Sequence, residues 1–411
     1  MKRLLTLIVI ILCMLPLALR AQETRQLHVM LYPYIPDAGG DKFAGLTARL
    51  ESEFESIHPD IDLVLTMDQQ YNTYDVPTLE SLFTDPSGPY PQVIELDLMM
   101  LQTLVDNDWI ETTSYQTPGA FPVANQAASY GGVLYAVPSR VCSLFLFSPL
   151  DVMSISSSDE LTVILEQYDP TGQYHNLVGE FFGKTSLTVF YVDFYVGHNG
   201  FNSIPNALNV PPDSTIVQEM SELFGECTFQ GGNACLGETY QNDPELAGRL
   251  LAEGQALAYI GFSEALYEIL SQSPVFQSLN IIPAPLGDSI NPLVYTDGFT
   301  INPANCDEQC VEDFHSFADY YLSVDTQNWM TFAWDVPNSQ PRYVLPPVLD
   351  FYEQEMVQNN AYFTIFFAGI AGGVPFPTDN YPEAREQLFP DVCEMLDDYM
   401  PGDPCQVPSV K

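Results

Sequence analysis

The side chain with the clearest capacity for chemistry is the thiol of Cys142, in the run YGGVLYAVPSRVCSLFLFSP over 130–149. A glycine turn, a short apolar strand, Pro138 and a second apolar strand are the elements that must position it. A free thiol titrates near pH ~8.5 and needs a neighbouring base to act as a nucleophile at neutral pH. Arg140 is the nearest basic residue, and none of His28, His58, His175, His198 and His315 falls in a motif. A cysteine–histidine protease would therefore lack its base. The other thiols read as structural. Cys13 belongs to the N-terminal apolar run, and the remaining six fall into near neighbours: Cys227 with Cys235, Cys306 with Cys310, and Cys393 with Cys405. Loop closure is cheapest over short separations, so three local bridges are the simplest expectation, with other pairings left open. Cys142 is then alone, either an inert buried residue or one kept for chemistry.

The opening MKRLLTLIVIILCMLPLALRAQ sets Lys2 and Arg3 before an apolar run that ends near Ala21. That pattern predicts a secretory signal peptide over 1–21, cleaved near Ala21, and export to the extracellular or periplasmic space. No later stretch supplies the ~20 apolar residues needed to cross a bilayer, so no membrane association is expected. The chain carries 54 acidic residues against 12 basic ones, three of the latter in the leader. Such a balance repels nucleic acid and anionic lipid; it serves solubility or draws a cationic ligand. There is no metal-ligand spacing, no phosphate-cradling glycine loop and no basic patch. Neither a metal nor another cofactor is implied.

With 411 residues the chain exceeds a single core and predicts two lobes. QLHVMLYPYIPD reads as a strand. FAGLTARLESEFESIHPDI places Phe43, Leu46, Leu50 and Phe54 at helical spacing, and DIDLVLTMD is a second strand. VIELDLMMLQTLVDNDWIE gives a strand then a helix, and the Cys142 region two more strands. The middle, through DPELAGRLLAEGQALAYIGFSEALYEILSQ, reads as more helical, and a strand pair returns at LNIIPAPLG and PLVYTDGFTINP. This alternation predicts an α/β protein with largely parallel sheets flanked by helices.

The ordered series FESIHPDI, VIELD, YGGVLYAVP, ALAYIGFSE, IIPAPLG and RYVLPP resembles the type II extracellular solute-binding proteins over nearly the whole mature chain. That resemblance implies a two-lobed, periplasmic-binding-protein-like α/β fold with the ligand between the lobes. Residues 22–140 with about 297–332 would form one lobe, and about 141–296 with 333–411 the other. Within this fold the residues look specifically like thiaminase I, the thiamine pyridinylases. Cys142 in YAVPSRVC stands where that family has its nucleophile, and Glu264 in IGFSE where it has its general base. LYPYIPD resembles the opening strand, with Tyr32 and Tyr34 at the cleft. Asp97, Tyr295 and Asp297 match ligand-facing strand ends, and Tyr240 is a weaker candidate. Phe262 stands where Tyr is expected and so lacks a hydroxyl, and FPVANQAAS lacks an acid.

The resemblance implies a secreted, monomeric transferase with no cofactor. Cys142 would attack the pyrimidine of thiamine, and Glu264, among the apolar Ile260, Phe262 and Leu266, would take its proton. A pyridine-like base, amine or thiol would replace the departing thiazole. Asp97 and Asp297 would face the aminopyrimidine, and Tyr32, Tyr34 and Tyr295 would stack on the cationic ligand. The alternative is a non-catalytic solute-binding protein for thiamine or another cationic or aromatic small molecule, which needs neither Cys142 nor Glu264. A glycan-binding module fits the aromatic residues but gives the thiol no work.

Overall fold

The computed structural model describes residues 24–399 apart from 69, 87–89, 170 and 273–278. The expected leader over 1–21 and Cys405 lie outside the described residues. The main strands are β1 Arg25–Met30, β2 Ile61–Thr66, β3 Val93–Asp97, β4 Ala136–Cys142, β5 Phe145–Ser148, β6 His175–Val178, β7 Ala256–Gly261, β8 Asn280–Pro283, β9 Leu293–Ile301 and β10 Val374–Pro375. They form two main sheets. The first runs β10-β9-β3-β1-β2, with β4 also paired to β9, and the second runs β8-β5-β7-β6.

Pairing is more mixed than the sequence predicts. In the first sheet β1 is parallel to β2 and β3, and β9 to β10, but β9 runs antiparallel to β3 and β4. In the second, β5 is antiparallel to β7 and β8, and only β6 and β7 are parallel. Parallel neighbours need a crossover element within one sheet. Strands β5 and β9 instead enter directly from the other lobe and insert in reverse. The same crossing corrects the expected pair at LNIIPAPLG and PLVYTDGFTINP, since β8 and β9 lie in different sheets. The run expected to be helical is also interrupted. Gly254, at φ +71°, ends the helix Leu246–Ala252, and β7 follows, held by partners on both sides.

Alternation along each strand sets its faces. Leu27, Val29, Ile61, Leu63, Val93, Val137 and Phe299 turn to one side of the first sheet. There they bury Leu46, Leu50 and Phe54 of the helix Ala44–Ile57 and Phe314 and Phe317 of the helix Glu308–Tyr321. Met30, Ile94, Leu96 and Val141 face the other way, into a core continuous with Phe145, Phe147 and Leu177 of the second lobe. Phe43 is buried as expected but lies just outside its helix, at φ 65°.

Two expected bridges are present, Cys227–Cys235 and Cys306–Cys310. The first closes a ring of eight-residue separation around the ribbon of Thr228–Phe229 and Gly232–Asn233. Replacing both of its cysteines by serine is expected to cost about 2–3 kcal/mol. Urea unfolding of variant and parent, each with and without reductant, checks it; equal midpoints throughout would refute the bridge's contribution.

Candidate active site

Three neighbouring strands bring the polar residues together. Asp97 closes β3 and pairs in register with Asp297 of β9, which faces Arg140 of β4 on its other side. Tyr295 of β9 pairs with Cys142 at the end of β4. Side chains two residues apart share a strand face, so Arg140 with Cys142, and Tyr295 with Asp297, project to the same side. Cys142 is half-buried and is the one free cysteine among the described residues. Glu264 comes from the second lobe, in the Phe262–Glu264 turn between β7 and the helix Ala265–Gln272. Ser263 Oγ lies 2.8 Å from the Tyr343 carbonyl oxygen and 3.1 Å from Glu264 Oε2. That hydroxyl ties the turn to a third segment of chain.

The electrostatics of this cluster are those of acids with too little positive charge. Burial pushes the Glu264 carboxyl up to about 7, against the opposing pull of its own backbone N–H, Ser263 and Arg140. Burial also raises the Cys142 thiol well above its ordinary value, and Glu264, Asp297 and Asp97 add to the rise while Arg140 opposes it. Asp97 and Asp297 are both raised, chiefly by burial, and each carboxylate discourages ionisation of the other across the strand pair. Beneath them the fully buried Glu95 receives Arg140 Nη2 at 3.2 Å and the Tyr32 backbone N–H at 2.9 Å. Arg140 Nη2 also donates to Tyr321 Oη at 3.0 Å, while its Nε and Nη1 have no partner among the described residues. One guanidinium thus stands among Glu95, Asp97, Asp297 and Glu264. A cationic or hydrogen-bond-donating ligand would relieve that excess.

Aromatic side chains wall the cluster. Tyr32 is buried and its hydroxyl lies 2.6 Å from that of Tyr74, which donates to Asp97 Oδ2 at 2.8 Å. Tyr34 packs on Tyr32 with ring centroids 4.6 Å apart. It is 59% exposed, yet burial and the charges of Glu180 and Asp97 raise its pKa. Tyr34 is thus open to water while feeling acids from both sheets' segments. Phe262 meets Tyr295 edge-on at 5.5 Å, and Tyr295 packs on Phe376 at 5.1 Å.

Strand pairing, ring contacts and shared fields thus link Cys142, Glu264, Asp97, Asp297, Tyr32, Tyr34, Phe262 and Tyr295 in one cluster. They do not join Tyr240 to it in the same way. That ring is 2% exposed in the core of the second lobe, where it adds, as Glu264 and Glu180 do, to the field on Tyr259. Asp97 also has an ordinary duty, because its Oδ1 accepts from Met99 N–H at 2.9 Å and starts the following helical turn.

Sequence reasoning missed Tyr74, Glu95 and Asp193. No motif marks Tyr74. Asp193 did carry a signal, as the lone acid within LTVFYVDFYVG, an apolar run that forms the helix Lys184–Asn199. Its carboxylate accepts the hydroxyl of Tyr295, joining the second lobe to the strand beside Cys142. Burial raises Asp193 to about 7, with the Tyr295 hydrogen bond opposing. A carboxyl raised above its unfolded value contributes its full stability below about pH 4, and that contribution is lost as pH rises through about 7. Asp193→Asn is expected to remove this decline, gaining on the order of a few kcal/mol over the parent at pH 8 relative to pH 4. Urea midpoints across that range test it; parallel curves for the two proteins would refute it.

The architecture is that of the two-lobed solute-binding proteins. The chain is similar to maltose-bound MalE3 of T. maritima, with 14% identity, 91% of this chain and 99% of that one covered, and a TM-score of 0.69. Within that class the resemblance to thiaminase I recurs in two comparisons. Clostridium botulinum thiaminase I in complex with thiamin matches with 20% identity, a TM-score of 0.69, and 92% of this chain and 100% of that one covered. Thiaminase-1 of Paenibacillus thiaminolyticus is 22% identical over 346 residues, which is 80% of this chain and 78% of the relative. No protein-family model matches the chain.

Proposed function

We propose that this protein is an exported transferase that cleaves thiamine and joins its pyrimidinylmethyl group to a small nucleophile. The observation that carries the reading is the free thiol of Cys142 in one field with the Glu264 carboxyl, itself raised to about 7. A pure binding protein has no use for that pair. The likeness to two thiaminases supports the same choice.

The reaction would run in two halves. Glu264 takes the proton of Cys142, and the sulfur adds to an electron-poor carbon of the pyrimidine. Electrons returning from the adduct break the bond between the bridging methylene and the thiazolium nitrogen, and the neutral thiazole leaves with that bonding pair. A pyridine-like base, amine or thiol then attacks the methylene. Expulsion of the enzyme sulfur restores the aromatic ring, and the proton on Glu264 returns to the thiolate. Thiamine's positive charge fits a cleft in which Arg140 is outnumbered by Glu95, Asp97, Asp297 and Glu264. Asp97 and Asp297, both raised, would share the donors of the aminopyrimidine. Tyr32, Tyr34, Phe262 and Tyr295 would enclose the ring, where each cation–π contact contributes about 0.5–2 kcal/mol.

The lobe division follows the resemblance, with 22–140 and about 297–332 in one lobe and about 141–296 and 333–411 in the other. Cys142 and Tyr295 then fall beside the crossings between lobes. The leader over 1–21, the Cys393–Cys405 bridge and the monomeric state complete the proposal of a secreted enzyme. No described helix is long and apolar enough to cross a membrane.

Mass spectrometry of the protein incubated with thiamine and pyridine tests the function. Free thiazole with a pyrimidinylmethyl-pyridinium product is the expected result. Thiamine that binds but stays intact would overturn the enzyme reading in favour of a binding protein.

A further inference from the structure

Away from the cleft, three side chains from three elements converge on one point. His198 is the penultimate residue of the Lys184–Asn199 helix, Glu219 lies in the helix Ser214–Gly225, and Asp288 in the loop from β8 to β9. His198 Nδ1 is 2.8 Å from Glu219 Oε1 and 3.1 Å from Asp288 Oδ2. One donor atom from each residue falls within 4.8 Å of the other two. Ligands held about 2.0–2.2 Å from a zinc ion stand roughly 2.9–3.5 Å from one another, so the spacing suits a shared ion.

We propose that His198 Nδ1 and the carboxylates of Glu219 and Asp288 bind a divalent first-row metal ion, Zn2+ by preference, at the foot of the crossing from β8 to β9.

A simple ion pair explains the arrangement less well. Nδ1 stands within reach of carboxylate oxygens from two separate elements at once, and Glu219 Oε2, shut off from solvent, has no partner among the described residues. A ring nitrogen facing two carboxylates from different elements is placed as three ligands around a cation would place it. Charge agrees. Two carboxylates exceed one imidazolium, and Asp159 adds to the negative field on Glu219. A neutral imidazole with two carboxylates balances a doubly charged ion, and this donor set suits Zn2+ better than oxygen-seeking Ca2+.

The scaffold is also set in advance. The loop packs so tightly on the helix end that a Cβ at Gly197 would lie 1.6 Å from the Leu286 carbonyl oxygen. Gly287, at φ +84°, likewise has no room for one beside the His198 backbone nitrogen. Ser289 Oγ donates to the Gly197 carbonyl at 2.8 Å. An ion here would pin the crossing loop to two helices of the second lobe.

The test is calorimetric titration of chelator-stripped protein with Zn2+, using the Cys142→Ser chain so that the cleft thiol cannot compete, with Ca2+ as control. One Zn2+ per chain is expected, with a rise in thermal midpoint that Ca2+ does not give. Glu219→Gln and Asp288→Asn should each weaken binding at least about tenfold. Asp288 is largely exposed, so its variant should fold. Absence of saturable Zn2+ binding would overturn the proposal. So would binding that both variants leave unchanged, which would place the ion elsewhere on the acidic surface. A loss of stability in His198→Ala that is the same with and without Zn2+ would leave a plain ion pair. None of these outcomes depends on whether thiamine is cleaved.

Discussion

Cys142→Ser is expected to lower thiamine turnover by at least about a thousandfold while thiamine still binds. The serine hydroxyl is a far weaker nucleophile than a thiol whose proton, in the proposed reaction, passes to Glu264. The rest of the cleft keeps its charge and its aromatic walls, so KM should change little beside kcat. Parent protein mixed with thiamine and no second nucleophile should carry one pyrimidinylmethyl unit on the Cys142 peptide, and the serine variant none. Turnover surviving the substitution would remove Cys142 from the mechanism, even if the chain proves to degrade thiamine.

Glu264→Gln should reduce kcat by about a hundredfold to ten-thousandfold, the usual range for losing a positioned base. Its pH signature is more telling. Buried to about 7, Glu264 is ionised and able to accept a proton above that value, and protonated and unable to do so below it. The parent's kcat/KM should therefore fall as pH drops through about 7, and the residual rate of the glutamine variant should lack that acidic limb. A parent profile flat from pH 5 to pH 8 would contradict the role. The thiol, raised by burial and three neighbouring acids, cannot supply that limb, because its own ionisation lies higher. Bound thiamine, being cationic, should bring the thiol down, which makes ligand binding part of its activation.

Strongly patterned segments were legible before any fold was known. Leu46, Leu50 and Phe54 repeat at helical spacing and bury one face, as Leu27 and Val29 do at strand spacing. The Lys184–Asn199 helix was not legible. It is apolar on nearly every side and rich in β-branched and aromatic residues, so neither period emerges, and Asp193 passed unnoticed with it. The strand β7 was read into a helix for a related reason: GQALAYIG is short and apolar, and pairing on both sides decided its state.

What the sequence determined by itself was the two-lobed α/β class, the solitary thiol and two of the local bridges. These follow from residue type, order along the chain and short separations. Tertiary structure alone decided that Asp97, Asp297 and Arg140 stand side by side, that the charge of Glu264 bears on Cys142, and that Tyr240 lies in the core. It also set the protonation of the acids. Burial alone shifts the Glu264 carboxyl to about 7 against its hydrogen bonds and Arg140, while burial together with Glu264, Asp297 and Asp97 raises the Cys142 thiol; neither environment exists until distant segments of chain pack together.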